Sequence, residues 1–274
     1  YVNLSVKNHH IDKDFYPLGS CTMKYNPKIN DALASLPGFA NIHPDQPAET
    51  VQGALHIMYE LEQMLFKITG MSDATLQLSA GSQGEFAGLL IMKKYHEKNR
   101  EKRKYIIIPE TAHGTNPASV VLGGFEPREV KSDKRGRVDL EDLKSKSDQE
   151  VAGMMLTQPN TLGLFEDEII EIAKEIHNVG GLMYMDGANL NAMVGLCRPA
   201  DMKFDILHIN LHKTFSTPHG GGGPGSGPIA VVEKLSKFLP VPRLSKNKDG
   251  VYNWDLDYPE SIGRFHSYFG NFAI

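Results

Sequence analysis

Cysteine is nearly missing from this chain: Cys21 and Cys197 are the only two in 274 residues, and no CxxC pair occurs. A structural zinc site and a disulfide framework are therefore unsupported, and a reducing compartment, the cytoplasm by default, is expected. Positive charge is not in excess either. A net charge of −4 argues against nucleic acid or an anionic membrane as a general partner, since both reward a basic face. No run of eighteen apolar residues appears, and the first residues lack a charged-then-apolar signal pattern, so a soluble, non-exported protein is expected. What is present, 41% hydrophobic and 23% charged residues, suits a globular protein with one large core and room for a small appendage. The chain opens on Tyr1 rather than Met and stops at Phe272-Ala273-Ile274 as a new apolar segment begins, so it reads as part of something longer.

Residues 1–46 are rich in Pro, Gly, Asn and His with little periodicity, which predicts an irregular segment wrapping over a surface. From Pro47 to Gly70 the pattern changes. Leu55, Met58, Leu61, Met64, Leu65 and Ile68 recur at spacings of three and four, and Gly70 closes the run, predicting an amphipathic helix with a glycine stop. Short apolar runs then alternate with helical patterns. Strands are predicted at Ala74–Leu78, Tyr105–Pro109, Val151–Thr157, Leu182–Asp186, Asp205–Asn210 and Pro228–Val232. Helices are predicted at Gly84–Glu97 and Asp167–Val179, with shorter ones near Asp139–Leu143 and Glu233–Phe238. Nearly continuous apolar strands separated by helices predict an α/β fold with a mostly parallel sheet covered on both faces. The large domain is expected to span 47–240. A solvated turn at Ser245–Gly250 then introduces an aromatic-rich region, 241–274, that starts a carboxy-terminal part.

The residues able to carry chemistry fall at the predicted strand ends, where ligands bind in such sheets. Ser79-Ala80-Gly81-Ser82-Gln83-Gly84-Glu85 precedes a helix; its free amides and hydroxyls suit a phosphate, although a plain helix cap accounts for the same residues. Thr111-Ala112-His113-Gly114-Thr115-Asn116-Pro117 offers an imidazole that could stack on an aromatic cofactor or serve as a loop scaffold. Asp186, ending an apolar strand, needs a cationic or hydrogen-bonded partner if buried; a protonated pyridine nitrogen would be one, and a turn cap is the alternative. Lys213 follows Asp205-Ile206-Leu207-His208-Ile209-Asn210-Leu211-His212. A lysine at the exit of a buried strand can have its pKa lowered until the neutral amine attacks a carbonyl, so it is a candidate Schiff-base residue for pyridoxal 5'-phosphate. If the run before it is extended, His208, Asn210 and His212 share one face. If it is helical, His208 and His212 fall at metal-ligand spacing, but no HExxH and no suitably spaced acidic residue accompany them, and no metal is assigned. The glycines of His219–Gly227 would let backbone approach a ligand or a neighbouring subunit closely.

Several longer motifs now become meaningful together. Pro17-Leu18-Gly19-Ser20-Cys21-Thr22-Met23-Lys24-Tyr25-Asn26-Pro27, Leu36-Pro37-Gly38-Phe39-Ala40-Asn41-Ile42-His43-Pro44, Thr111–Pro117, Asp186-Gly187-Ala188-Asn189 and the run from His208 through the glycines closely resemble the glycine decarboxylase P-proteins of the glycine cleavage system. Within that family they are most similar to subunit 2 of the two-subunit bacterial form. The resemblance runs from about Tyr16 to the end and implies a type I aminotransferase-like large domain, with most of a small carboxy-terminal domain beyond Ile274. It implies glycine dehydrogenase (aminomethyl-transferring) activity: pyridoxal-phosphate-dependent decarboxylation of glycine, with transfer of the aminomethyl group to the lipoyl arm of H-protein. Carried over, it assigns Lys213 to the Schiff base, Asp186 to the pyridine nitrogen and His113 to the ring face. Ser82 and Gln83 fall near the phosphate, with Thr214 and Gly222 as further contacts and Asn160, His208 and Asn210 completing the set. His212 or His43 would protonate the departing lipoyl thiolate. Implied partners are glycine, lipoylated H-protein and P-protein subunit 1, in an assembly of two copies of each subunit. Gln158 and Gln83 stand where relatives often carry asparagine and histidine; both retain hydrogen-bonding capacity. The rival reading is another type I pyridoxal enzyme, such as an aldolase or a cysteine desulfurase.

Overall fold

In the computed structural model, described for residues 1–11, 13–14, 24–219, 225–265 and 272–273, the apolar runs become a seven-stranded sheet. Its strands are β1 (Asp73–Thr75), β2 (Tyr105–Pro109), β3 (Glu126–Val130), β4 (Val151–Thr157), β5 (Leu182–Gly187), β6 (Ile206–Ile209) and β7 (Ile229–Val231). They lie in the order β1-β7-β6-β5-β4-β2-β3, and β7 alone runs against the rest. A separate hairpin pairs β8 (Arg243–Lys246) with β9 (Tyr252–Asp255).

Period-two alternation in the central strands sorts their side chains between two cores. Met154, Leu156, Met183, Met185, Leu207 and Ile209 pack on one face with Leu65, Leu143, Ile172 and Ile176 from helices Gln52–Thr69, Leu140–Lys146 and Ile169–Asn178. Leu182, Tyr184 and Ile206 pack on the other with Ala87, Leu89, Ile91 and Met92 of helix Gly81–Lys98 and Val120 of helix Thr115–Leu122. Each such Leu, Ile or Met side chain contributes roughly 1.5–3 kcal/mol by leaving water. Asp186 and His208 continue the second face by the same alternation, so they meet helix Gly81–Lys98.

That helix approaches β5 and β6 closely because Gly81, Gly84 and Gly88 line its inner face. A Cβ at Gly88 would overlap the Tyr184 ring, and one at Gly84 would lie 2.5 Å from His208 Cβ. Gly70 ends helix Gln52–Thr69 in the left-handed region, at φ 72°, where its missing Cβ removes the penalty other residues meet.

The structure differs from the sequence reading at recognisable places. Met64 was expected on the buried stripe but is exposed; Leu55, Glu62, Leu65 and Thr69 are the buried positions of its helix. β3 and helix Thr115–Leu122 lacked a clear pattern. β3 is an edge strand of sequence Glu-Pro-Arg-Glu-Val, buried only at Val130, and the helix begins inside a motif read as a loop, with Pro117 tolerated in its first turn. Ser245 and Lys246, expected in a turn, belong to β8; the turn proper is held by Asn247 Oδ1, which accepts from Asp249 N and Val251 N. The supposedly irregular start contains short exposed helices at Val2–Ser5, Ile29–Ala34 and Pro37–Ala40, too brief to leave a periodic signal. No helix among the described residues is long and apolar enough to cross a membrane.

The two kinds of helical glycine should respond oppositely to a methyl group. Gly88→Ala is expected to destabilise by about 1–3 kcal/mol through overpacking against Tyr184, whereas Gly53→Ala, with nothing within 4 Å, should stabilise by up to about 1 kcal/mol from helix propensity. Denaturant unfolding of both variants checks this pair.

Candidate active site

The carboxyl ends of β5 and β6 and the start of helix Gly81–Lys98 converge on one buried polar cluster. Register places Asp186 beside His208 across the parallel pair. Asp186 is 3% exposed. Burial pushes its carboxyl upward, but His208, the Asn116 amide, the Ala188 N–H and the charge of Lys213 together hold it below the usual carboxylate range. Asn116 Nδ2 donates to Oδ2 at 3.1 Å, Ala188 N donates to Oδ1 at 2.9 Å, and His208 Nε2 lies 3.4 Å from Oδ1.

His208 is oriented from both sides. Its Nε2 faces two acceptors, Asn210 Oδ1 at 3.0 Å and Asp186 Oδ1, so that nitrogen carries the hydrogen. Its Nδ1 is 2.6 Å from the Tyr184 hydroxyl. Burial, with Glu85 and Asp186 nearby, pushes the Tyr184 phenol well above its ordinary range, so it remains a donor to Nδ1. Glu85 completes the cluster: one of its oxygens, one of Asp186's and a His208 nitrogen lie within 4.8 Å of one another. Burial raises the Glu85 carboxyl, and Ser119 Oγ donates to it at 2.7 Å. The geometry is that of a metal triad, yet both His208 nitrogens are engaged by Tyr184 and Asn210, which makes it a hydrogen-bonded unit.

β6 stops at Ile209, and Asn210 caps a single helical turn, Leu211–Thr214. The extended face expected to carry His208, Asn210 and His212 is therefore broken: His208 and Asn210 stay together, and His212 turns to the loop at Gly225–Ser226. Ser226 N lies 3.1 Å and Ser226 O 3.0 Å from His212 Nδ1. Burial drives the His212 pKa down to about 4. Lys213 and Thr214 follow half-buried, and Thr214 Oγ1 is enclosed with no hydrogen-bond partner among the described residues. Lys24 Nζ donates to Thr217 O at 2.8 Å, bringing the amino-terminal segment to the same loop.

The remaining sequence candidates are less tightly joined. Ser82 is exposed in the first turn of helix Gly81–Lys98, and Gln83 Oε1 accepts from Ser79 N at 2.9 Å and Ser79 Oγ at 3.1 Å. Ala80, at the helix cap, offers no side chain to the first-turn amides. His113 is exposed in the turn after β2, its Nδ1 accepting from Thr115 N at 3.2 Å. Asn160 organises its own loop, Nδ2 donating to Gly136 O and Oδ1 accepting from Leu162 N and Leu164 N. That loop reaches the cluster through Asn189, whose Nδ2 donates to Pro159 O at 2.9 Å. His43 is exposed, its Nδ1 accepting from Asp45 N. Gly222 and the motif stretch Pro17–Met23 lie outside the described residues. Asn116, Ser119, Tyr184 and Glu85 were missed as site residues; the period-two match of Tyr184 with Asp186 was the available signal for one of them.

A mostly parallel sheet with this cluster at its carboxyl ends makes this an α/β protein with its polar site at the strand ends. An aromatic aminotransferase from Pyrococcus horikoshii shares the fold at a TM-score of 0.59 and 17% identity, covering 77% of this chain and 57% of that one. The crystal structure of glycine decarboxylase (P-protein) of the glycine cleavage system, in inhibitor-bound form, matches at a TM-score of 0.74 and 22% identity over 93% of this chain and 56% of that one. The family described as glycine cleavage system P-protein matches residues 2–253. The chain belongs to that family. A protein of Caldanaerobacter subterraneus named probable glycine dehydrogenase (decarboxylating) subunit 2 is 60% identical over 275 aligned positions, covering all of this chain and 56% of the relative. The chain thus spans about half the length of such relatives.

His212 gives the site a pH signature. It stays neutral in the folded protein down to about 4, while the unfolded chain protonates near 6.5, so its contribution to stability is present above pH 6.5 and is lost as pH falls from there toward 4. His212→Asn should flatten the loss of stability over that window, measured by denaturant unfolding at fixed pH values; an unchanged slope would contradict the burial.

Proposed function

We propose that this chain forms the catalytic part of a glycine decarboxylase subunit 2, holding pyridoxal 5'-phosphate over the Asp186 cluster and acting on glycine. Asp186 carries the reading: a buried carboxylate kept ionised by neutral donors and His208, with Lys213 close enough to influence it, is suited to pair with a protonated pyridine nitrogen. The other residues fit the same group. The enclosed Thr214 hydroxyl and the first-turn amides of helix Gly81–Lys98, with Ser82 at the surface, suit its phosphate. Lys213 would offer the amine, His113 a ring for the cofactor face, and Gly222 a further backbone contact. Bound there, the group would supply an aldehyde for amine capture and an electron sink for the pair released when the carboxylate leaves as carbon dioxide.

The protein's own part is electrostatic and positional. Asp186 holds one negative charge in place without reorganisation, and Asn116, Ala188 N and His208 keep it from rotating or taking a proton. Asn210 and Tyr184 fix His208 in turn. We assign to His212 the protonation of the lipoyl thiolate, for which its imidazole must first take up a proton, since burial holds it neutral. Release of the aminomethyl group to the lipoyl arm of H-protein, and assembly as two copies each with P-protein subunit 1, complete the proposal. The naming of similar chains as subunit 2 supports the existence of a partner subunit. A cytoplasmic location fits the free thiol of Cys197.

Glycine-dependent exchange of labelled carbon dioxide, with the full-length subunit, subunit 1 and lipoylated H-protein, tests this reading. Wild type should exchange, Lys213→Ala should not, and Asp186→Asn should lose roughly 10²–10³-fold in rate, the scale of one preorganised electrostatic contact. Turnover of threonine or cysteine without H-protein, in place of glycine exchange, would favour the aldolase or desulfurase reading.

A further inference from the structure

Two carboxyl groups share the pocket beneath the site, and Asp186 is the better supplied with N–H donors. Glu85 is 4% exposed, within 4.8 Å of both Asp186 and His208. The titratable groups facing it are Asp186 and Tyr184 from β5 and His208 from β6; Ser119 and Asn116 approach from helix Thr115–Leu122. Two anions this close and this dry repel strongly, and one proton relieves the repulsion. Asp186 accepts two N–H donors and faces a third, so it is the anion. Asn116 sits at the junction. Its Nδ2 donates to Asp186 and its buried Oδ1 has no hydrogen-bond partner among the described residues; its hydrogen bond toward Glu85 by itself favours the anion there, but burial outweighs it and the Glu85 carboxyl stays raised. A buried amide oxygen left without a donor costs about 1–3 kcal/mol. A carboxylic acid hydroxyl at Glu85 would supply that donor, while its other oxygen accepts from Ser119.

We propose that Glu85 is a positioning residue that works in its acid form: it accepts from Ser119, donates to Asn116 Oδ1, and so fixes the amide that holds Asp186 toward the cofactor nitrogen. The buried cluster then carries a single negative charge, which one pyridinium balances. Glutamine copies the acid form of Glu85, since it too offers one acceptor and one donor; an anion or an apolar side chain does not. The part concerning the cofactor rests on the function proposed above.

The test uses the purified chain as wild type, Glu85→Gln and the volume-conserving Glu85→Leu. The first measurement needs no cofactor: the infrared difference spectrum of wild type minus Glu85→Gln at neutral pH should contain the carbonyl band of a buried, protonated carboxylic acid, and its absence would overturn the proposal. The second is pyridoxal phosphate binding followed by absorbance across pH. Glu85→Gln should bind within about threefold of wild type with the same pH profile, and Glu85→Leu should bind about tenfold more weakly with a displaced profile. Weakening by Gln to the level of Leu would also overturn it, as would a Leu variant that matches wild type in affinity and profile. The infrared and Gln measurements decide even if the Leu variant does not fold. An infrared band together with no cofactor binding by wild type would instead sink the cofactor reading while leaving Glu85 an acid, which separates the two failures.

Discussion

The site depends on the desolvation of one carboxylate. Asp186 lies at the end of a buried strand in a sheet covered on both faces, where an unpaired charge would be costly enough to force neutralisation. The surroundings answer that cost with oriented dipoles: an asparagine from the neighbouring helix, the backbone N–H two residues on, and a histidine held by a tyrosine on one side and an asparagine on the other. Each of these groups is fixed by packing. Helix Gly81–Lys98 can close over them only because glycine occupies the positions facing Tyr184, His208 and Asn210. The glycines that look like a phosphate motif in the sequence therefore also set the distance between helix and sheet.

Much of this was legible in the order of residues. Strands Tyr105–Pro109 and Val151–Thr157 are found as predicted because their near-continuous apolar character has only one physical use, burial on both faces. Asp186 and the lysine 27 residues later stood out because charged or reactive side chains interrupted such runs. Helix Thr115–Leu122 was not legible. Its small and polar start, Thr-Asn-Pro-Ala-Ser, reads as loop chemistry, and its helical state comes from docking Asn116, Ser119 and Val120 into the core. Glu85 was hidden for a related reason: nothing local distinguishes a glutamate on a solvated helix face from one turned toward two other polar groups. The change from strand to helical turn at Asn210 was equally invisible, since His-Ile-Asn-Leu-His suits either period.

Family membership and geometry bear on different parts of the account. The match across residues 2–253 places the chain among the glycine cleavage P-proteins, while the likeness to an aminotransferase at 17% identity speaks of the fold alone. What the geometry adds is a division of labour within the buried cluster. One carboxyl is held as an anion by N–H donors, another is pushed toward its acid form, and a histidine and a tyrosine between them have their hydrogens dictated by the acceptors they face. Environments that drive two nearby carboxyls apart in this way mark places where charge is being set for chemistry.

The central claim is that Lys213, above the Asp186 cluster, is the amine that captures the cofactor aldehyde. Borohydride reduction of the purified chain after incubation with pyridoxal phosphate, followed by peptide mass mapping, tests it most directly. The expected result is a single phosphopyridoxyl adduct on Lys213, absent from Lys213→Ala. An adduct on another lysine with Lys213 unmodified, or no specific adduct at all, would contradict it.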